Sequence, residues 1–336
     1  MITFLGDTYL RRAVDGRHVG LGRYVVNLEA PVTASLNPAP NKVNLRASSW
    51  YLKESFGEWP AAVCLANNHI MDYGVDGYLD TVAGLSSAGV PFFGAGTLHD
   101  NYNNPAIVTI DGLRLALLGY VCASTSPPHT PPDGPGVAPL EPKSICRDID
   151  RARCSGADRV VVSLHWGAEE VGVPKPDDVG TARAIIEAGA DAIVGHHPHI
   201  VQPCEYHRER PIFYSLGNFV MPDLDGPSHF STDGVSHRRF VKRQATWNRT
   251  SLAFSYVPQT REVAASLVYF DGNKVVRLRR DARCTKRVTE SARRFKCAYV
   301  LGKLRRLGYD YLRSPKLPAP RHLHGLIRLL RNRDYR

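Results

Sequence analysis

Six short apolar runs, each closed by polar side chains, recur along the first two-thirds of the chain. They read ITFLGD, YVVNLE, AVCLANNH, RVVVSLHWG, DAIVGHH and PIFYSLGN. Each run is rich in Val, Ile, Leu, Phe or Tyr and has no internal proline, which is typical of buried strands. Helix-like segments separate them, among them VDGYLDTVAGLSSAG and DDVGTARAIIEAGA. Strands that alternate with helices predict an α/β fold.

Two DG turns, at Asp111 and at Asp271, lie between apolar runs and predict β-hairpins. Hairpins among alternating strands and helices favour mixed sheets over purely parallel ones. The Pro- and Gly-rich segment 124–139 predicts a loop, which is either a lid over a site or a plain excursion.

Polar residues gather at the ends of the predicted strands. In α/β sheets such residues face a common crevice at the carboxyl edge of the sheet. One Asp is often a helix cap, one Asn a turn residue and one His a hydrogen-bonded structural residue. Five strand ends that share this chemistry are difficult to explain as independent events; they carry Asp7, Asn27, Glu29, Asn67, Asn68, His69, His165, His196, His197 and His199.

Imidazoles and carboxylates together suit zinc, manganese or iron. This set holds more ligands than one tetrahedral zinc needs, and it fits two divalent ions about 3.5–4 Å apart. Such a pair clamps the attacking and leaving oxygens of an in-line displacement at phosphorus. The sequence therefore predicts a metal-dependent phosphoesterase with an anionic substrate.

Several motifs carry a family resemblance. GD, NLEAPVT, LANNHIMDYGVDGYLDT, FGAG, HWGAEE, GHHPHIVQP and FYSLGNFV follow in order between residues 6 and 220. This set resembles the CapA family of capsule or poly-γ-glutamate biosynthesis proteins, within the calcineurin-like metallophosphoesterase superfamily. The resemblance implies a four-layered αββα sandwich with a dinuclear metal centre at the strand ends.

The resemblance also implies roles for single residues. His69 resembles the general acid that protonates the leaving oxygen. The H-x-H spacing of His197 and His199 points both rings to one face, which favours them over His196 as ligands. His196 is then a substitute ligand or a substrate-binding residue. The metal ligands implied are Asp7, Glu29, Asn68, His165, His197 and His199.

Further residues are expected to support this centre or to bind substrate. Asp72 is expected to orient His69, and Asn218 to hydrogen-bond the last histidines or form a turn. Arg46 is expected either to hold a substrate phosphate or to be an exposed structural arginine. Tyr9 stands where the superfamily has the histidine of D-x-H, a departure that the CapA-like branch shares, so Asn27 or water would complete the first metal site.

Two carboxylates and the thiols also carry expectations. Glu169 and Glu170 are expected to orient a ligand histidine or to begin a helix. The seven cysteines form no CxxC pair, which indicates reduced thiols and gives little support to a cysteine zinc site.

The net charge of +11 lies largely beyond residue 237. We therefore predict a main domain at 1–283 and a basic helical C-terminal extension at 284–336. Such charge either attracts anionic partners, which are a polymer, a membrane surface or nucleic acid, or forms a solvated face on C-terminal helices. The extension has no recognisable nucleic-acid-binding module, which disfavours nucleic acid.

The hydrophobic fraction of 43% excludes a disordered chain, and no apolar run approaches the roughly 18 residues that span a bilayer. The N-terminus has no secretion signal, which predicts a cytoplasmic protein, peripheral at the membrane if its basic end binds there. The alternative to an enzyme is a non-catalytic accessory protein of a polymer-synthesis complex that keeps the same fold.

Overall fold

The structure is a computed structural model that describes residues 1–100, 102–125, 134–279 and 298–306. Within these ranges the main chain forms an eight-stranded and a six-stranded sheet, with strands numbered along the chain. The eight-stranded sheet, called the first sheet, has β1 to β4 parallel and β16 to β18 antiparallel. Its strands are β1 (Ile2–Thr8), β2 (Tyr24–Leu28), β3 (Ala62–Cys64), β4 (Phe92–Phe93), β13 (Asn218–Val220), β16 (Thr250–Tyr256), β17 (Val263–Phe270) and β18 (Val275–Arg279).

The six-stranded sheet, called the second sheet, is also mixed, because two antiparallel hairpins flank its parallel centre. Its strands are β6 (Ala106–Ile110), β7 (Leu113–Val121), β9 (Arg159–His165), β10 (Ala192–His196), β11 (Cys204–His207) and β12 (Arg210–Phe213). Two further pairs stand apart from both sheets: β5 (Ala95–Gly96) with β8 (Gly136–Val137), and β14 (Leu224–Phe230) with β15 (Ser236–Lys242).

Four α-helices cover the outer faces of the sheets: α1 (Tyr51–Phe56), α2 (Gly74–Ser87), α3 (Pro142–Cys154) and α4 (Pro176–Glu187). Short 3-10 turns occupy Arg17–Val19, Leu98–Asp100, Ala123–Thr125 and Thr246–Arg249. Successive side chains of β7 point to opposite faces of the second sheet and so show which layer packs on each face. Leu117 joins the core shared with the first sheet, whereas Leu118 joins the core shared with α3 and α4.

Aromatic contacts join the remaining layers. Phe254 of the first sheet packs on Phe213 of the second, with ring centroids 4.2 Å apart. On the other face of the first sheet, Phe219 packs 5.4 Å from Phe56 of α1. Burying one such side chain stabilises the fold by about 1.5–3 kcal/mol. The order helix, sheet, sheet, helix confirms the predicted αββα sandwich with mixed sheets.

Strand register brings the polar strand ends together. In the first sheet Asp7 of β1 lies beside Asn27 of β2 and Asn218 of β13. In the second sheet His165 of β9 lies beside His196 of β10. Parallel pairing places these residues at one edge of each sheet, as the sequence predicts.

A close backbone approach precedes the histidine cluster. A Cβ atom added at Gly195 would lie 1.9 Å from the carbonyl oxygen of Tyr214. Only glycine allows the two main chains to come this close. The glycine of GHHPHI therefore fixes where β10 delivers its histidines.

Both DG hairpins are confirmed, by the β6–β7 pair and the β17–β18 pair. The loop predicted for 124–139 is wrong at Gly136–Val137, which pair with β5 as a short strand. Residues 126–133 of that segment lie outside the described residues.

The predicted C-terminal extension, 284–336, lies outside the described residues except for 298–306, which are helical. Tyr299 there is 2% exposed, so this short helix packs against the rest of the protein. In the described parts of the chain no helix combines the length and hydropathy needed to cross a membrane.

Among the described residues, the cysteines with free thiols are Cys64, Cys122, Cys146 and Cys154. Cys204 of β11 is disulfide-bonded, so the expectation of reduced thiols is wrong at this position. Spacing along a chain does not reveal which cysteines the fold brings together.

Candidate metal centre

Asp7 is the hub of the polar cluster. It is fully buried, and its Oδ1 accepts a hydrogen bond from Asn27 Nδ2 at 2.9 Å. His196 Nδ1 lies 3.1 Å from the same oxygen. The other oxygen, Oδ2, accepts the backbone N–H of His197 at 3.0 Å and lies 3.2 Å from His199 Nδ1. One carboxylate of the first sheet thus contacts all three histidines that follow β10.

Glu29 is also fully buried, but neither of its carboxylate oxygens has a hydrogen-bond partner among the described residues. Its Oε1 lies 3.7 Å from His165 Nε2 and 3.8 Å from His199 Nε2. These separations are too long for hydrogen bonds. They match ligands that share an ion, since two ligand atoms about 2.1 Å from a tetrahedral zinc lie about 3.4 Å apart.

Asp7, Glu29 and His165 each offer a ligand atom, and these atoms lie within 4.8 Å of one another. Unpaired buried carboxylate oxygens are costly unless they bind a cation. The residues present therefore fit a divalent metal ion, with carboxylate and imidazole donors of the predicted kind.

The two histidines that approach Glu29 are oriented by side-chain amides. His199 Nδ1 lies 2.8 Å from Asn218 Oδ1, which leaves Nε2 directed at Glu29. His165 Nε2 lies 2.8 Å from Asn68 Oδ1, so these two predicted ligands are neighbours. In metal-binding histidines the ring nitrogen that faces away from the ion is commonly held by such a partner, as Nδ1 of His199 is, whereas His165 uses the same Nε2 for Asn68 and for its approach to Glu29.

The backbone of the GHHPHI segment adopts an uncommon shape. His197 has φ of 90° and His199 has φ of 57°, both in the left-handed region that non-glycine residues rarely enter. The His197 ring packs edge-on against His165, with centroids 4.8 Å apart, and its Nδ1 is buried without a partner. Backbone strain of this kind concentrates at functional sites.

The environment separates the pKa values of the two carboxylates. Burial alone would raise the pKa of Asp7, but its bonds to His196 and His199 hold it well below the usual value. Burial and the neighbouring charge of Asp7 raise the pKa of Glu29 well above its usual value. A bound cation would reverse this second shift, because positive charge favours the ionised carboxylate.

The histidines also differ from one another. Burial lowers the pKa of His197 to about 4, and burial with the charge of His197 holds that of His165 well below its usual value. Burial also acts to lower the pKa of His199, but Glu29 and the bond to Asp7 raise it to about 9. His165 and His197 are thus held neutral, the form that binds metals.

His69 lies beside this centre and is held by a carboxylate. Its Nδ1 is 2.7 Å from Asp72 Oδ2, the contact expected from the sequence. Asp72 is fully buried and also pairs with Lys42. The Lys42 Nζ donates to the backbone carbonyl of Asn68 at 2.6 Å. One lysine therefore braces both a predicted ligand and the carboxylate that holds the predicted acid.

A cavity of about 270 Å³, here called the metal cavity, opens over these residues. Asn68, His69 and His199 line it, together with Lys42 and Lys242. The sequence prediction missed both lysines, because each lies in a stretch without a motif. Each ammonium group has a carboxylate partner, Asp72 for Lys42 and Glu169, which also lines the cavity, for Lys242.

Glu169 and Glu170 have neither of the predicted roles. They lie in a turn, not at a helix start, and their carboxylates pair with Lys242 at 3.6 and 3.2 Å. Glu170 also pairs with Arg306 of the 298–306 helix. Such partners are remote in sequence, so no local pattern reveals them.

Tyr9 and Arg46 lie beyond the metal cavity. The Tyr9 hydroxyl donates to the backbone carbonyl of Arg46 at 3.0 Å, so it is engaged away from the carboxylates. The Arg46 guanidinium donates to the carbonyl of Ser35 at 2.6 Å. Both line a neighbouring cavity instead. The described lining of the metal cavity does not include His196 or Asn218. A role of these two residues in substrate binding stays a prediction.

Residues 21–223, more than half of the chain, match the family described as bacterial capsule synthesis protein PGA_cap. The chain belongs to this family. A PGA_cap relative, the capsule biosynthesis protein CapA of Bacillus anthracis, is 38% identical over 159 residues, which cover 46% of this chain and 39% of that protein. The PGA biosynthesis protein CapA of Bacillus subtilis is 37% identical over 197 residues, covering 58% and 52%. The resemblance inferred from the sequence is confirmed.

The chain thus spans about half the length, or less, of these PGA_cap relatives. Among solved structures, the 5'-nucleotidase of Candida albicans aligns with a TM-score of 0.43 and 10% identity, covering 90% of this chain and 58% of that one. A likeness at this level carries no functional inference.

Proposed function

We propose that this PGA_cap chain is a metal-dependent phosphoesterase that acts on an anionic polymer of the capsule or poly-γ-glutamate type, or on a phosphorylated precursor of it. The observation that carries the proposal is the buried carboxylate of Glu29, which has no hydrogen-bond partner among the described residues and which His165 and His199 approach at 3.7 and 3.8 Å. A fold stabilised by these residues alone would hydrogen-bond such a group.

Two divalent ions, of manganese, iron or zinc, are proposed to bind here. Asp7, Glu29 and His165 would hold one, and His199 with the same carboxylates would hold the other. Asn68 and His197 are close enough to His165 to complete the first set. Bound ions of this kind activate water and stabilise the charge of a phosphoryl group.

His69 would act as the general acid that protonates the leaving oxygen. Because Asp72 holds Nδ1, the other ring nitrogen, Nε2, is the one left to give a proton to the leaving oxygen. Asp72 fixes the orientation of the ring, as carboxylates beside catalytic histidines do. Bound divalent ions would supply the positive charge that attracts an anionic substrate into the metal cavity, where Lys42 and Lys242 are held by their carboxylate partners.

The second candidate is a non-catalytic accessory protein of a polymer-synthesis complex. Its support is Tyr9, whose hydroxyl bonds to a backbone carbonyl and adds no ligand where the superfamily has a histidine. In that case the basic residues would bind polymer, a membrane surface or a partner enzyme. The location, whether cytoplasmic or peripheral at a membrane, stays a prediction.

The test is metal analysis combined with phosphomonoester and phosphodiester assays of the wild type, His69→Ala and His18→Ala. His18 is a matched control, because its Nδ1 also contacts an aspartate three residues away, Asp15 at 3.2 Å, but at the surface. We expect close to two ions per chain in all three proteins, with hydrolysis reduced about 10²–10⁴-fold only in His69→Ala. Protein that binds no metal and shows no turnover with manganese or zinc would favour the accessory role.

A further inference from the structure

A second cavity, of about 290 Å³, adjoins the metal cavity. The two cavities share four wall residues, Val43, Leu45, Leu224 and Phe240. The two cavities therefore lie side by side, and the β14–β15 hairpin contributes to the walls of both. We call this second space the arginine cavity, after Arg11 and Arg46 in its lining.

Two arginines and one carboxylate line the arginine cavity. Its one lining carboxylate, Asp225, is already bound to Arg239 Nε at 2.7 Å. In the part of the chain that the structure describes, neither Arg11 nor Arg46 forms an ion pair. Arg46 is nevertheless held in place, by the Ser35 carbonyl at 2.6 Å and by the Tyr73 ring at 5.3 Å.

A fixed guanidinium with free N–H groups is suited to carboxylate and phosphate oxygens, which it binds in pairs. Holding Arg46 against Tyr73 before a ligand arrives reduces the entropy lost on binding. Arg11, exposed at the rim, adds a second donor for the same anion.

Two loops line both cavities and set the spacing between them. Lys42 lines the metal cavity, and Arg46, four residues later, lines the arginine cavity. In the same way His69 lines the first cavity and Tyr73 the second. Four residues of chain reach at most about 14 Å, so two anionic groups within that distance could occupy both cavities at once.

We propose that the arginine cavity binds a further oxyanion of an extended, polyanionic substrate whose reacting phosphate lies in the metal cavity. The inference rests on the proposed function for its account of the first anion. The ligand chemistry is a carboxylate or phosphate group repeated along a flexible chain. A small phosphate ester would fill only the metal cavity.

Binding by the full chain tests this directly, without any need for turnover. Two fluorescent probes are titrated, a γ-linked oligoglutamate of about ten residues and a polyphosphate of similar length. Salt of about 0.15 M screens charges farther apart than about 8 Å, which suppresses non-specific attraction. The variants are Arg11→Gln, Arg46→Gln, Arg46→Lys and Arg12→Gln.

Arg12→Gln is the matched control, because Arg12 is adjacent, equally exposed and absent from the lining of the arginine cavity. We expect Arg11→Gln and Arg46→Gln to weaken binding of at least one probe by about tenfold each, the loss typical of a charge-assisted hydrogen bond. Arg46→Lys keeps the charge without the paired N–H donors, so its affinity should lie between those of the wild type and Arg46→Gln. Arg12→Gln should change affinity less than about twofold. The probe that responds identifies the repeating anion.

Equal weakening by Arg11→Gln and Arg12→Gln would overturn the proposal, because it would mean general charge attraction. Failure of the wild type to bind either probe would overturn it as well. Both results are independent of hydrolysis. If the protein hydrolyses phosphate esters but its affinity for the probes does not depend on Arg11 or Arg46, the subsite is refuted and the proposed function stands. If probe binding depends on both arginines but no phosphate ester is hydrolysed, the enzyme is refuted and the subsite stands.

Discussion

Replacement of Glu29 by Gln tests whether its buried carboxylate exists to hold metal. The side chain is fully buried, and both oxygens lack hydrogen-bond partners in the described structure. Without metal, the charged form is unfavourable there, so an uncharged amide of the same size should leave stability within about 1 kcal/mol or raise it. When metal is added, the free energy of unfolding of the wild type should rise, whereas that of the variant should rise much less.

The magnitude follows from mass action. A ligand at 100 times its Kd stabilises the folded state by about 2.7 kcal/mol. In a chain of this size each kcal/mol raises Tm by about 2 °C, so manganese or zinc should raise the wild-type Tm by about 5 °C. Glu29→Gln should lose most of this rise, because it removes a ligand shared by both proposed ions.

Thermal unfolding with and without metal, after treatment with a chelator, measures both effects. Glu54→Gln is the control, since it makes the same change at an exposed position. An equal metal-dependent rise in wild type and Glu29→Gln would refute the metal assignment. A chelator-treated Glu29→Gln protein several degrees less stable than the wild type would show that Glu29 stabilises the fold itself.

Three further predictions concern other residues. Asp72→Asn should lower hydrolysis by at least about tenfold while metal content is unchanged, because an amide can turn its NH₂ group toward Nδ1 and no longer fixes the ring with Nε2 as the proton donor; parallel metal analysis and rate measurements check this. Gly195→Ala should destabilise the fold by about 3 kcal/mol in urea unfolding, since its Cβ would meet the Tyr214 carbonyl, whereas Gly172→Ala, with open space, should not. Burial raises the pKa of Asp178 from 3.8 to about 7, so the folded state holds this proton more tightly than the unfolded state. The stability that it contributes is present below about pH 4 and is lost as the pH rises to about 7, by up to about 4 kcal/mol. Asp178→Asn should not show this loss of stability. Urea unfolding of both proteins at pH 5 and 7.5 measures the difference, and the same pH dependence in wild type and variant would contradict the reasoning.

The strand ends could be predicted because their signals are local. Apolar runs that end in Asp7, Glu29 or His165 report both the strand and the edge that it faces, and parallel pairing then brings those edges together. The same holds for the DG hairpins, where two residues determine the turn. Fold class and the candidate site therefore followed from short stretches of sequence.

The lysines of the metal cavity could not be predicted in this way. Lys42 lies in a long connection without hydrophobic periodicity, and Lys242 ends a hairpin strand that is hydrogen-bonded to neither large sheet. Their positions depend on contacts with Asp72 and Glu170, which are remote in sequence. Charge near a site is thus set by tertiary structure, and composition reports only its total.

The contacts of Asp7 have a mechanical consequence. This carboxylate belongs to the first sheet, yet it receives the backbone N–H of His197 and contacts the imidazoles that follow β10 of the second sheet. An ion held by Asp7, Glu29 and His165 would therefore join the two halves of the sandwich, much as a disulfide cross-links two segments. Metal loss would release that cross-link, so the sheets of the metal-free protein should separate more readily under force or denaturant than those of the loaded one.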